Sequence, residues 1–262
     1  MSAPVFICAN AFGPTFVKHH GHATAANLAA RAGAAGLEVR QELMTKADYP
    51  LDSLTQVFNQ LDLECTFSAK AHVWNYEHCD VEGLLGALDI AETLGARLLK
   101  VGIGALPTDP SLSKGELATV AARLKDSRVH LVIENDQTPE GGDIKVMETA
   151  LALLADAGIK AGLTFDTGNW YWVGENPIDA ARQLGSRVDY VHCKSIDLVN
   201  DQPRVCQPRA PHLAAWSTLW TAFKPNTLRS IEFPLAQEDS VDLNHNALIA
   251  TAHEFITRLS HY

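Results

Sequence analysis

Residues 131–143 read LVIENDQTPEGGD. Leu131, Val132 and Ile133 have the character of a buried strand. The stretch then turns polar at once, through Glu134, Asn135, Asp136 and Gln137, and runs into Thr138, Pro139 and two glycines, which read as a loop. A strand that ends in carboxylates and amides presents them at its carboxyl end. In parallel α/β folds, that is the end where ligands are met. How many such strands the chain holds decides the fold.

Seven further segments share the pattern. Strands are predicted at 5–10, 36–40, 64–69, 97–102, 130–135, 162–167, 188–193 and 228–233. Helices of Ala/Leu-rich, 3.6-residue period are predicted near 22–34, 50–61, 80–94, 111–126, 143–157, 177–184, 211–223 and 241–260. Turn and cap residues punctuate them: Gly33/Gly36, Pro50, Gly95, Gly141/Gly142, Gly158 and Asn176-Pro177. Eight strand–helix pairs in 262 residues predict one closed (β/α)8 TIM barrel, a single domain over residues 1–262. An open, doubly wound sheet would carry a glycine-rich first turn, and the first turn here, CANAFGPT, has no Gly-x-Gly-x-x-Gly.

Composition narrows the function classes. A 47% hydrophobic content supports a packed core, and a net charge of −10 argues against a nucleic-acid partner. Five cysteines with no Cys-x-x-Cys argue against a disulfide framework or zinc knuckle. The start MSAPVFICANAFG lacks a basic, then apolar, leader, and no apolar run reaches the ~18–20 residues of a membrane span. The expectation is a cytoplasmic protein with no membrane contact and a small-molecule partner, possible as a homo-oligomer.

The strand ends carry the chemistry. Glu38 and Arg40 end the second strand, Lys70 and His72 follow the third, and Lys100 lies in the fourth. Glu134 ends the fifth, Asp166 the sixth, His192 and Lys194 the seventh, and Glu232 the eighth. Glu134, Asp166, His192 and Glu232 come from four successive strands, one per βα unit, so closure would aim them at a common centre. Three carboxylates and an imidazole suit one divalent cation: Mn2+ first, with Mg2+, Co2+ or Zn2+ as alternatives. Lys100, Lys194 and Arg40 either make the pocket positive for an anionic substrate, with Glu38 as a further substrate contact, or form a plainer rim of ordinary salt bridges to Glu38 and the ligand carboxylates. In TFDTGNWYW (164–172), Asn169, Trp170 and Trp172 offer amide and aromatic groups to a sugar, or else pack the loop. Asp136 is either a substrate contact or a turn residue. His72, with Trp74, either closes the pocket or caps a strand. Arg204, in the long loop predicted after strand seven, reaches an anionic substrate or is solvated. Lys70 completes the candidate substrate contacts.

The motifs IENDQT (133–138), FDTGNW (165–170), YVHCK (190–194) and IEFPL (231–235) resemble those of the xylose-isomerase-like barrel superfamily of sugar isomerases and epimerases. As wholes, they look most like epimerase-type proteins associated with bacterial 2-ketogluconate utilisation. The resemblance implies a cation held by Glu134, Asp166, His192 and Glu232, with Glu134 and Glu232 also handling the proton. One departure is that ketose 3-epimerases of the superfamily carry a His three residues after the metal-binding Asp, where this chain has Asn169. The endonuclease branch uses more His ligands than this chain supplies.

The implied chemistry is proton transfer alpha to a carbonyl through an enediolate. The substrate expected is a keto-sugar or a keto-sugar acid. Two glutamates on opposite faces of the planar intermediate can invert a centre or move the carbonyl. Two alternatives stand beside it. One is a lyase on the same scaffold, with His72 or Lys194 as general acid. The other is a carbohydrate-binding protein without turnover.

Overall fold

The computed structural model describes residues 3–76, 78–200 and 202–261. Eight strands form the barrel: β1 (Val5–Cys8), β2 (Gly36–Arg40), β3 (Glu64–Asn75), β4 (Leu98–Ala105), β5 (His130–Glu134), β6 (Gly162–Asp166), β7 (Val188–Cys193) and β8 (Leu228–Ile231). Each pairs in parallel with the next, and β8 pairs with β1, so the sheet closes. Eight major helices follow the strands: α1 (Pro14–Ala32), α2 (Leu51–Gln60), α3 (Val81–Thr93), α4 (Lys114–Lys125), α5 (Ile144–Asp156), α6 (Pro177–Leu184), α7 (Ala210–Trp220) and α8 (His245–Ser260). All eight strands and eight helices expected from the sequence are present. Among the described residues, no helix is long and apolar enough to cross a membrane. All five cysteines are free.

Local chemistry accounts for the helix starts. The side chains of Asp80, Asp143, Asn176 and Asn244 accept backbone N–H bonds at the starts of α3, α5, α6 and α8. Helix α1 begins earlier than expected, at Pro14, and breaks at Gly21, whose φ of 77° only glycine adopts freely. The break frees the His22 N–H, which donates to Asp48 Oδ1 at 2.7 Å.

Two rim segments are longer than the periodicity suggests. Strand β3 continues to Asn75 past a bulge between Ser68 and His72, and Trp74 and Asn75 pair antiparallel with a short strand, His78–Cys79. Strand β4 follows it to Ala105. A β-carbon on Gly104 would lie 2.0 Å from the Trp74 carbonyl oxygen, so glycine is what lets the two backbones pair this closely. The expected long loop after β7 is instead an antiparallel hairpin, Ser195–Val199 with Gln202–Cys206. The alternation in SIDLV and QPRVC is its sequence signal.

Residues two apart on a strand share a face. Phe6, Leu98, Val132, Tyr190 and Leu228 form an apolar cluster of their own, apart from the main core between sheet and helices. Two residues further along four of these strands stand Cys8, Lys100, Glu134 and His192, and four further along from Leu228 stands Glu232. The barrel is therefore filled by apolar side chains at its base and by titratable ones toward its carboxyl-end mouth.

Candidate metal centre

The mouth is built around His192, whose ring is fully buried. Its Nε2 lies 2.8 Å from Glu38 Oε2. With Nε2–H donating to that carboxylate, neutral imidazole presents its lone pair at Nδ1. Nδ1 faces Glu134 Oε1 at 2.7 Å and Glu232 Oε2 at 2.8 Å. None of these three buried atoms has a hydrogen-bond partner. Ligand atoms from Glu134, Asp166, His192 and Glu232 all lie within 4.8 Å of one another. Lys194 Nζ stands 3.3 Å from Glu232 Oε2 at the edge of this group, and the convergence of three carboxylates and one imidazole suits a divalent cation.

The remaining carboxylate oxygens are engaged from outside. Glu134 Oε2 is ion-paired with Lys100 Nζ. Glu232 Oε1 accepts from Arg40 Nη1 at 3.1 Å and from Asn10 Nδ2 at 3.5 Å. Asp166 Oδ1 accepts the Gly168 and Asn169 N–H groups at 2.8 and 2.9 Å, and its Oδ2 accepts from Lys194 Nζ at 2.6 Å. Behind Asp166, the Asn135 carboxamide bridges to that residue's backbone, accepting its N–H at 2.8 Å and donating to its carbonyl at 3.1 Å. This bond extends the β5–β6 pairing beyond the last strand residues and fixes where Asp166 points.

The electrostatics follow from crowding. Burial disfavours ionised Glu134, but Lys100 and His192 outweigh it and hold the carboxyl well below the usual range. Glu232 is likewise lowered against burial, by Lys194, His192 and Arg40. Burial pushes Asp166 up to about 7, with Glu232 and Glu134 adding to it, although Lys194 opposes the rise. Glu38, also buried, is held at about 2 by His192, Lys100 and Arg40. Burial would depress the His192 ring, yet Cys8, Glu38, Glu232 and Glu134 raise it well above its ordinary value.

A family model described as xylose isomerase-like TIM barrel matches residues 26–214. The chain belongs to that family. Solved structures agree on the fold. A crystal structure of the IOLI protein with a bound zinc atom superposes with a TM-score of 0.70 at 18% identity, covering 100% of this chain and 99% of that one. D-allulose 3-epimerase from Methylomonas sp., in complex with D-allulose, gives 0.70 at 15% identity over 98% of this chain and 96% of that one. The probable 3-DHS dehydratase AsbF from Bacillus anthracis gives 0.67 at 11% identity over 96% and 98%. No curated protein sequence matches.

Within this xylose isomerase-like barrel, the other candidate residues fall into distinct places. Lys100, Lys194 and Arg40 are all committed to carboxylates of the cluster, so the salt-bridge network and the convergent ligand set exist together. Asn169 is buried, donating to the Asn135 carbonyl at 2.9 Å and accepting from Lys194 at 3.1 Å. His72 and Lys70 are exposed on the β3 extension, and Arg204 is exposed on the hairpin.

Three readings need correction. Glu38 is fully buried, bonding His192 and Arg40 rather than substrate. Trp170 is also fully buried, with its ring 5.3 Å from that of Phe165, so it fills the core and offers no face to a sugar. Asp136 is a turn residue, accepting from Thr138 N and Oγ1 at 2.7 and 2.6 Å. Sequence reasoning missed Asn10, which follows β1 and reaches Glu232 while its Oδ1 stays unpartnered. Its sequence signal was a polar side chain ending the apolar strand predicted at 5–10.

Proposed function

We propose that the chain is a divalent-metal-dependent sugar isomerase or epimerase that transfers a proton on the carbon next to a carbonyl. The observation that carries this reading is the convergence of ligand atoms from Glu134, Asp166, His192 and Glu232 within 4.8 Å of one another, with His192 Nδ1 2.7 Å from Glu134 Oε1 and 2.8 Å from Glu232 Oε2. Glu134, Asp166, His192 and Glu232 would hold the cation. When bound, the cation supplies Lewis acidity toward a carbonyl oxygen.

The chain's own residues do the rest. Glu134 ends β5, and Glu232 lies just past β8 across the mouth, so the two can address opposite sides of one substrate carbon. Lys100 behind Glu134, and Arg40 and Lys194 beside Glu232, keep both ionised and able to accept a proton. The same cations disfavour the protonated glutamate, so a captured proton is passed on. Glu38 holds the His192 ring in one orientation. Asn10, with a free Oδ1 beside Glu232, is placed to accept from a substrate hydroxyl.

The substrate class that suits the site is a keto-sugar or its acid, with Mn2+ as the first choice of metal. The lyase alternative needs a general acid. Lys194 is pinned by Asp166 and Asn169, and its ammonium is strongly stabilised by Asp166 despite burial, so it gives up a proton poorly. His72, the other candidate acid, stands exposed on the β3 extension and outside the buried cluster, and the proton-transfer reading is preferred. The test is incubation with Mn2+ and a panel of keto-sugars and keto-sugar acids in D2O, followed by NMR. Deuterium entering one carbon next to the carbonyl, without an ultraviolet-absorbing dehydration product, is the expected result. Binding without exchange across the panel would remove the enzymatic reading.

A further inference from the structure

The opposite face of the barrel, where the strands begin, carries a second feature. Five successive helix-to-strand loops, from α3–β4 to α7–β8, contribute one cation each: Arg97, Arg128, Lys160, Arg187 and Lys224. The loops at 33–35 and 61–63, before β2 and β3, contribute none. The cations thus form a half-ring. They line three adjoining cavities of about 520, 630 and 480 Å³, all of which touch His130 at the start of β5.

Few carboxylates balance this charge. Among the described residues, Asp189 is the only acidic one lining the three cavities, and it accepts from His130 Nε2 at 2.9 Å and Lys224 Nζ at 2.8 Å. Arg97 pairs with Glu64 at 3.0 Å. Arg128 and Lys160 are exposed and have no ion pair among the described residues. Helix carboxyl ends face this side and attract cations, but that attraction is confined to the last turn. Each of the five lies three or four residues beyond its helix. The chain's overall charge of −10 makes a one-sided cluster of this kind more conspicuous.

We propose that this trough is a binding site for a small, multiply charged phosphate-bearing anion, separate from the mouth of the barrel. The cavities are of the size that takes small molecules. Arg128 offers a guanidinium fork that matches phosphate oxygens and Lys160 adds a point charge, with Arg97 and Lys224, each paired to one carboxylate, at the flanks. The strands run from this face to the candidate metal centre, so the occupant sits at the far end of the same strands. The acidic remainder of the surface disfavours an extended nucleic acid.

The experiment is calorimetric titration of inorganic pyrophosphate into the full-length chain in metal-free buffer. Wild type is expected to bind, an Arg128→Ala/Lys160→Ala variant to bind at least tenfold more weakly, and Glu134→Gln, at the other end of the barrel, to bind as wild type does. Absence of binding overturns the assignment, as does undiminished binding by the double variant or loss confined to Glu134→Gln. A parallel titration with duplex DNA at equal phosphate concentration is expected to show weaker binding. Tighter binding of DNA would overturn the small-molecule assignment.

Discussion

The Glu38 carboxylate lies 2.8 Å from His192 Nε2, joining residues 154 positions apart in a fully buried bond. The bond sets the ring so that Nδ1, not Nε2, faces the glutamates of the mouth. Glu38 is thus a positioning residue. Glu38→Gln is expected to weaken Mn2+ binding about 10–100-fold, the range for losing such a partner. Circular dichroism should stay unchanged, and Mn2+ titration followed by electron paramagnetic resonance measures the affinity. Wild-type affinity would show that the bond is merely structural.

Glu134→Gln and Glu232→Gln are each expected to abolish deuterium exchange into substrate while leaving the fold intact. Both changes keep shape and remove the proton acceptor. Near-normal exchange in either variant would exclude a two-glutamate transfer.

A cation that binds only the folded state stabilises it by mass action, about 2.7 kcal/mol at 100 times Kd. Adding Mn2+ should raise the melting temperature, and a chelator should reverse the rise. Asp166→Asn should largely remove the effect, since Asp166 is one of the four converging groups. Equal shifts in wild type and variant would place the cation elsewhere.

Trp170 distinguishes packing from substrate contact. Trp170→Ala should cost roughly 3–5 kcal/mol of stability, the usual range for truncating a buried aromatic. Trp170→Phe should fold and retain substrate KM. Urea denaturation and steady-state kinetics read the two outcomes, and a large KM change in the Phe variant would return Trp170 to the site.

Acid stability has a local source at Asp48. Burial raises its pKa, but His22 and the backbone N–H groups of Thr45 and His22 lower it more, so the folded value lies below the unfolded one. Its stabilisation is therefore complete above the unfolded pKa and fades as pH falls through the folded value. Unfolding titrations between about pH 5 and pH 2 should show Asp48→Asn losing less stability than wild type over this span.

By itself, the sequence determined the architecture. Eight alternations of apolar run and helical period, spaced at one βα unit, specify a closed parallel barrel, because periodicity and turn chemistry are local properties of the chain. It also marked Glu134, Asp166, His192 and Glu232, since a polar residue that ends an apolar strand lies toward the barrel mouth. Tertiary structure alone decided which atoms meet. Closing the barrel brings β2 within reach of β7 across the interior, which turned Glu38 from a rim acid into the partner of His192. It packed Trp170 inward against Phe165 and matched Lys100, Lys194 and Arg40 to particular carboxylates. Those pairings depend on distances between strands far apart in the chain, and a linear pattern carries the face a residue shares but not the neighbour it finds there.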